Sequence, residues 1–337
     1  MANYGPISYD IDLNTSGKQI RALSLDHSDD AHAYSIIQIP IAVIANGEGP
    51  TVLFIAGNHG NEYEGQVALR EFVRQTDPAD VRGRIIILPS LNMPAASADA
   101  RVSPLDGANL NRVFPGSPNG GPTAAIAGFV NEVVLPLCDA GVDIHTGGSS
   151  ANFIPLVYIC RGGDESVFSS SVALAEAFSP PWIYSEAGVE GGIDPHARRQ
   201  GVAFFSIELG GGARLGKVTT ALARQGVRNV LSHLGVLRVP IETEPSKPCR
   251  YLTDVGACQL VSPAYGFLES VCSLGQTVST GETLAIVHPV EDAFADPISL
   301  LAPGDGVVVT MRTTVRVKPG DIVLDVSPEV TREAIFA

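Results

Sequence analysis

The chain has 337 residues, more than one ordinary domain holds, so two structural units are expected. Hydrophobic residues make up 45% of the chain and charged residues 17%, a composition that can bury a large core and excludes a disordered protein. The formal net charge is −14, from 22 basic and 36 acidic residues, which argues against nucleic acid and anionic membranes as partners.

The sequence also bears on location. The first ten residues carry neither a basic stretch nor an apolar run of the kind found in targeting signals. The longest apolar runs, 36–43 and 133–138, are well short of the roughly 20 residues of a membrane helix. The five Cys residues are scattered and form no C-x-x-C pair, which favours a reducing compartment. We therefore expect a cytoplasmic protein that binds no membrane.

From residue 36 to about residue 240, short apolar runs alternate with amphipathic stretches of helical length, which predicts an α/β fold with a mixed sheet flanked by helices. The predicted strands are 36–45, 51–56, 84–89, 141–145, 155–160 and 203–209. The predicted helices are 62–75, 123–137, 165–178 and 215–234. Residues 90–122 are rich in Pro, Gly and Asn and predict a long loop, and loops of that length are often functional.

After residue 240 the pattern changes. A polar, proline-bearing segment, 242–248, predicts a linker, and the residues beyond it indicate short strands and turns. We therefore predict one domain over residues 1–240 and a second, β-rich domain over residues 241–337.

The second domain contains a weak internal repeat. Residues 275–287 and 315–326 each place a strand pair around a Gly turn, and such units resemble the barrel-sandwich fold of lipoyl and biotinyl carrier domains. The turn in which a carrier presents its modified Lys corresponds to residues 291–297, which contain no Lys. We expect an all-β barrel-sandwich domain without a covalent cofactor, in a lid or assembly role.

Two predicted strands end in His residues that could bind a metal. The strand 51–56 leads into His59 and Glu62, which are three residues apart and can point the same way at the start of a helix. The strand 141–145 ends in His145, and two His with one Glu suit a catalytic zinc site that keeps a position open for water. A surface His with a Glu at a helix N-terminus remains the alternative for the first pair. The five other His residues have weaker claims, His196 being the nearest to the suspected site.

The predicted strand 203–209 carries one carboxylate, Glu208, immediately before three Gly residues. A buried Glu is costly unless it is paired or used. Beside a metal-activated water it can serve as the general acid and base of a metallohydrolase. The alternative is a Glu that caps a helix or lies at a sheet edge.

The long loop supplies cations. Arg101 lies in it, and Asn111 and Arg112 follow in an Asn-rich segment. The planar fork of Arg binds a carboxylate through two hydrogen bonds, and an Asn amide can add a donor, so an anionic substrate is indicated. The alternative for Arg112 is a structural salt bridge within the loop.

Four motifs in this order resemble the succinylglutamate desuccinylase/aspartoacylase family, relatives of the zinc carboxypeptidases. They are H-x-x-E ending at Glu62, N-L-N-R-V-F-P-G over 109–116, D-I-H ending at His145, and I-E-L-G-G-G over 207–212. The resemblance covers about residues 36–330 and implies a zinc-carboxypeptidase-like mixed sheet with an appended β-domain. It also implies one Zn²⁺ per chain held by His59, Glu62 and His145, with Glu208 as the catalytic acid and base.

The same resemblance implies roles for the cations. Asn111 and Arg112 would bind the substrate carboxylate, and Arg101 matches an Arg that polarises the scissile carbonyl. Arg198 stands where aspartoacylases carry a substrate-binding Arg, with the adjacent Arg199 as the alternative.

Within the family, residues 57–65, 109–116 and 226–235 are most similar to bacterial N-acetyl-diaminobutyrate deacetylases of ectoine degradation. Two features depart from that pattern: Asn61 stands where those enzymes usually have Asp, and the stretch 186–200 differs. We expect the latter stretch to line the acyl or side-chain pocket.

These motifs together predict a zinc-dependent amidohydrolase that removes a small acyl group from a small, anionic N-acyl amino acid. They leave open whether the chain forms a homo-oligomer. One alternative is a carboxypeptidase that acts on peptides, which activity on N-acetyl amino acids but not on peptides would exclude. The other is a catalytically silent binding protein of the same fold, against which the presence of Glu208 argues.

Overall fold

The computed structural model describes residues 1–28, 30, 32–238 and 248–336. In chain order, the strands in these ranges are β1 Ala2–Tyr4, β2 Ile7–Tyr9, β3 Gly17–His27, β4 Ser35–Asn46, β5 Thr51–Ala56, β6 Gly83–Leu88, β7 Ala140–His145, β8 Ala151–Phe153, β9 Leu156–Cys160, β10 Trp182–Glu186, β11 Ala203–Glu208, β12 Arg250–Thr253, β13 Cys258–Val261, β14 Gly266–Ser270, β15 Thr277–Val278, β16 Thr283–Pro289, β17 Ile298–Leu301, β18 Gly306–Arg312, β19 Arg316–Val317, β20 Ile322–Ser327 and β21 Glu329–Val330. The α-helices are α1 Glu64–Gln75, α2 Met93–Ser97, α3 Pro122–Phe129, α4 Glu165–Phe178, α5 Ile193–Arg199 and α6 Lys217–His233.

Within the described ranges, twelve strands form one mixed sheet in the order β1-β2-β3-β4-β6-β5-β7-β11-β9-β10-β12-β21. Its centre, β6-β5-β7-β11, is parallel, and β9 runs antiparallel to β11. One large apolar cluster lies on each face of this sheet. The predicted α/β fold with a mixed sheet flanked by helices is therefore confirmed, and no helix in the described ranges is long and apolar enough to cross a membrane.

The six predicted strands and four predicted helices all form; the strand 51–56 and the helix 165–178 have the predicted bounds, and the others have shifted ends. The helix predicted over 123–137 is α-helical only to Phe129 and continues as a π-turn and a short 3₁₀ segment, Leu135–Leu137. Pro136 lies in that segment and has no N–H to continue an α-helical ladder. Up to residue 238, strands β1 to β3, β8 and β10 and helices α2 and α5 were not predicted, and the short helix α2 lies within the predicted loop 90–122.

The C-terminal part forms the two smaller antiparallel sheets, one of β13, β20, β18, β15 and β8, the other of β17, β16, β14 and β19. Each unit of the predicted repeat crosses between these sheets, because β15 and β16 lie in different sheets, as do β19 and β20. The turns between them are made by Gly281 and Gly320, with φ of +85° and +90°. These sheets agree with the expected all-β architecture.

The two parts of the chain exchange strands. β12 and β21, from the C-terminal part, belong to the large sheet. β8, from the N-terminal part, pairs with β18 in the five-stranded sheet. The linker predicted over 242–248 lies outside the described residues except for Pro248. The division into residues 1–240 and 241–337 remains a proposal, and the ladders cross it in both directions.

Candidate active site

His59, Glu62 and His145 come together at one edge of the large sheet. β5 and β7 are parallel neighbours, so the segment after β5 and the end of β7 meet at their carboxyl ends. Nδ1 of His59 lies 2.8 Å from Oε1 of Glu62, and Nδ1 of His145 lies 2.9 Å from Oε2. All three side chains are buried, and one ligand atom of each lies within 4.8 Å of the others.

The outer nitrogen of each imidazole is already bound. Nε2 of His59 donates to the amide oxygen of Asn109 at 3.1 Å, and Nε2 of His145 donates to Asp143 at 2.8 Å. Asn58 in turn donates to the same Asp143 oxygen at 2.9 Å. This arrangement fixes both rings with Nδ1 facing inward, as neighbouring carboxylates and carbonyls do for metal-binding His residues.

Two Gly residues permit the tight approach of the first ligand segment. Gly57 has a φ of +66°, which L side chains rarely adopt. A Cβ on Gly60 would lie 2.0 Å from the backbone of Ala95 in α2. The segment that carries His59 can therefore lie directly against α2.

The electrostatics of this cluster favour a cation. Burial opposes ionisation of Glu62, but the two imidazoles hold the pKa of its carboxyl well below the usual range. Burial would lower the pKa of His145, but Asp143 and Glu62 raise it well above its ordinary value. Two nitrogens and a carboxylate arranged around a point that attracts positive charge fit a zinc ion.

Glu208 lies directly beside this cluster. It ends β11 and is in register with His145 on the neighbouring parallel strand β7. Its Oε2 is buried without a hydrogen-bond partner among the described residues. Burial, and next the charge of Glu62, raise the pKa of Glu208 to about 8. The carboxyl group is thus suited to carry a proton near neutral pH.

Arg101 reaches the cluster from the long loop. Its Nη1 donates to Oε1 of Glu62 at 3.3 Å and lies 3.3 Å from Nδ1 of His59. The loop is held at this point because the amide of Gly60 donates to the carbonyl of Ala100 at 2.9 Å. Arg101 therefore lies within reach of a group bound beside His59 and Glu62.

Asn111 and Arg112 line a cavity of 380 Å³ that also contains His59, His145 and Glu208. Oδ1 of Asn111 accepts from the amide of Ile193 at 3.0 Å, and Arg112 donates to the carbonyl of Asn111 at 2.7 Å. The guanidinium of Arg112 forms no ion pair within the described ranges. The structural salt bridge considered for Arg112 is therefore not observed.

Arg198 is not brought to the cavity, so the structure does not support its predicted substrate contact. Its guanidinium is buried and donates to the carbonyl oxygens of Cys160 and Gly162. It also lies 5.4 Å from the ring centre of Phe168. Arg199, the alternative, is exposed beside His196 and does not line the cavity.

Several residues of the cavity were not predicted individually. They are Phe153, Tyr158, Cys160, Glu186, Val189, Asp194, Ser206 and Gln259. The expectation that 186–200 lines a pocket could have pointed to Glu186 and Asp194, the acidic residues of that stretch that reach the cavity. Gln259 comes from β13 in the C-terminal part, and nothing in the sequence indicated that this strand reaches the site.

A model of the succinylglutamate desuccinylase/aspartoacylase catalytic domain matches residues 48–234, the part that carries every residue discussed above except Gln259. The chain belongs to this family and is an amidohydrolase. It is 36% identical over 321 residues, 94% of each chain, to N-alpha-acetyl-L-2,4-diaminobutyric acid deacetylase of Halomonas elongata.

Two solved structures are similar over nearly the whole chain. A succinylglutamate desuccinylase from a Silicibacter species has a TM-score of 0.92 at 35% identity, covering 98% of this chain and 100% of that one. The product-bound ectoine utilization protein EutE from Ruegeria pomeroyi has a TM-score of 0.91 at 36% identity, covering 97% and 100%. The resemblance found in the motifs is thus confirmed at the level of the whole chain.

Proposed function

We propose that this protein is a zinc-dependent amidohydrolase that removes a small acyl group from an N-acyl amino acid. The observation that carries the proposal is that a protonatable Glu208 lines the same cavity as His59 and His145 of the buried His59–Glu62–His145 cluster. A binding protein would not need such a carboxyl group, whose burial without a partner is costly.

The metal would be held by Nδ1 of His59, the carboxylate of Glu62 and Nδ1 of His145. Zinc bound in such a site polarises a carbonyl group and lowers the pKa of water. Zinc analysis of the purified protein should give about one ion per chain, and a His145→Ala protein should retain much less. Stoichiometric zinc in that variant would contradict the ligand assignment.

The chain's own residues supply the remaining chemistry. Glu208 takes a proton from the attacking water and returns it to the departing amine. Arg101 donates to the carbonyl oxygen as negative charge develops on it. Arg112 and the amide nitrogen of Asn111 bind the substrate carboxylate and orient the scissile bond.

The named relative suggests the first substrate to test. Because the Halomonas elongata protein is a deacetylase of Nα-acetyl-2,4-diaminobutyrate, we propose the same reaction here. We also propose a cytoplasmic location, in keeping with five cysteines that are all free.

A carboxypeptidase acting on peptides is disfavoured by the cavity. Its 380 Å³ is bounded by Phe153 and by Gln259 from the C-terminal part, which leaves room for a small molecule. Purified enzyme should hydrolyse members of a panel of N-acetyl amino acids and leave dipeptides and longer peptides intact. Comparable rates on peptides would contradict the proposal.

We assign residues 241–337 a lid or assembly role without a covalent cofactor. Gln259 supports the lid role because it lines the cavity. The turn at 291–297 contains no Lys, so intact-mass measurement should match the unmodified chain. A mass increment equal to a lipoyl or biotinyl group would contradict this.

A further inference from the structure

One end of the cavity is acidic. Asp194 projects into it from α5 and Glu186 from the end of β10. Asp194 is only 8% exposed; its Oδ2 accepts from the Ser206 hydroxyl at 2.7 Å, while its buried Oδ1 has no partner within the described ranges. An unpartnered carboxylate oxygen at this depth costs free energy unless something binds it.

Glu186 is the second acid of this end and is partly buried. Its carboxylate forms no hydrogen bond or ion pair within the part of the chain that the structure describes. Burial, and next the charges of Asp194 and Asp254, raise the pKa of Glu186 to about 7, and burial raises that of Asp194 to about 6. The two groups therefore repel each other in a poorly solvated space.

The Arg residues around this acidic end offset its charge only in part, since Arg161 and Arg112 lower the pKa of Glu186 by less than burial and the neighbouring acids raise it. Arg161 is paired with Asp254 at 2.6 Å. Arg198 is committed to two backbone carbonyls. Arg112 lies on the same cavity, but its guanidinium is assigned to the substrate carboxylate. A positive charge on the ligand itself would complete the site.

We propose that Asp194 and Glu186 form a subsite for an ammonium group on the substrate's side chain. The inference rests on the proposed function and adds the residues that would select N-acyl diamino acids over N-acyl amino acids with neutral or anionic side chains. In this arrangement Arg112 binds the α-carboxylate and the two acids bind the side-chain ammonium. The negative and the positive group of the substrate would therefore each be paired with the opposite charge on the protein. The segment that forms helix α5 was predicted to contribute Arg198 to substrate binding, and in this proposal it contributes Asp194 instead.

The test compares two substrates of equal side-chain length, Nα-acetyl-2,4-diaminobutyrate and Nα-acetylnorvaline, which differ by an ammonium in place of a methyl group. For the parent enzyme, kcat/KM should favour the ammonium substrate by on the order of 10²-fold, the usual loss when a buried charge pair is left incomplete. Asp194→Asn keeps the size and the acceptor for Ser206, and it should bring that preference down by a similar factor. Glu186→Gln, less buried, should reduce it in the same direction.

Glu190→Gln is the matched control, because Glu190 is an exposed acid in the same segment that does not line the cavity. It should retain the parent preference. If Asp194 were only structural, Asp194→Asn would slow both substrates equally, and an unchanged ratio in both Asp194→Asn and Glu186→Gln would overturn the proposal. Should Asp194→Asn fail to fold, as judged by thermal melting, Glu186→Gln decides alone.

Failure of the proposed function is separable from failure of this inference. Hydrolysis of the norvaline substrate as fast as the diaminobutyrate substrate overturns the ammonium subsite and leaves the deacylase function standing. If neither is hydrolysed, the proposed deacetylation of Nα-acetyl-2,4-diaminobutyrate fails. Calorimetric binding of free 2,4-diaminobutyrate against norvaline then decides the subsite: a preference for diaminobutyrate that Asp194→Asn abolishes supports it, and equal affinities overturn it.

Discussion

At the scale of single residues, Glu208 carries the clearest prediction. Glu208→Gln keeps the shape of the side chain, but an amide cannot accept and return a proton. We expect kcat to fall by roughly 10²–10⁴, the usual contribution of a positioned general base, with zinc content near that of the parent. Glu62→Gln, which changes a ligand, should lose both metal and activity. If Glu208→Gln lost its metal, Glu208 would be the metal ligand and Glu62 the general base.

Asp143 acts through His145. It is fully buried and accepts from Nε2 of His145, so it fixes the ring whose Nδ1 we propose as a metal ligand. Asp143→Asn should weaken zinc affinity by about 10- to 100-fold, measured by competition with a chelator. Asp139→Asn is the control, since Asp139 precedes the same strand and its carboxylate accepts from Thr51 far from the site. Equal zinc affinities in the two variants would show that Asp143 does not contribute to metal binding.

Arg112 should act through the substrate carboxylate. Arg112→Ala is expected to lower kcat/KM by about two powers of ten, on the order of 3 kcal/mol for a charge-assisted contact. Converting the substrate carboxylate to an amide should cost the parent a similar amount and cost the variant little more. Arg199→Ala, at an exposed Arg outside the cavity, is the control. Additive losses would show that Arg112 acts elsewhere.

At the scale of elements, the contact between α4 and α6 depends on Gly226. An Ala in a helix is normally more stable than Gly by about 1 kcal/mol, but a Cβ here would lie 2.2 Å from the Phe178 ring. Phe178 is fully buried and stacks edge-on against Phe205, so it cannot move aside. Gly226→Ala should therefore lower the free energy of unfolding by about 1–3 kcal/mol.

Thermal and urea unfolding would measure this change. Phe178→Leu combined with Gly226→Ala should cost less than the sum of the two single changes, because the smaller side chain makes room for the added methyl group. A Gly226→Ala protein as stable as the parent would show that the two helices can separate without cost.

The elements also show what the sequence could and could not predict. β5, β7 and β11 are mainly apolar, and a polar residue ends β7 and β11 or closely follows β5, so their pattern was sufficient to place His59, His145 and Glu208 at the same end of the sheet. β10 and α5 are short and flanked by Pro and Gly, and they gave no periodic signal. For that reason the sequence assigned no role to Glu186 and Asp194, the acidic residues of β10 and α5. The sequence also did not show in which direction the side chain of Arg198 points.

At the scale of the whole molecule, the two parts should unfold together. Trp182 and Tyr184 of the large sheet share one apolar cluster with Val307 and Val309 of the smaller sheet. The hydroxyls of Ser327 and Tyr184 are also joined by a hydrogen bond of 3.2 Å. We expect a single transition in scanning calorimetry of the zinc-loaded protein. Two well-separated transitions would show that residues 241–337 fold independently of the rest.

The pairing of β8 with β18 has an evolutionary consequence. β8 follows His145 by only a few residues, so a C-terminal sheet inherited from another lineage would have to pair with a strand that lies close to a proposed metal ligand. A recombination event near residue 240 would separate β8 from its partner strand and Gln259 from the cavity it lines. Viable chimaeras between relatives should therefore inherit 151–153 from the same parent as 258–327, and a crossover that splits them should be counter-selected.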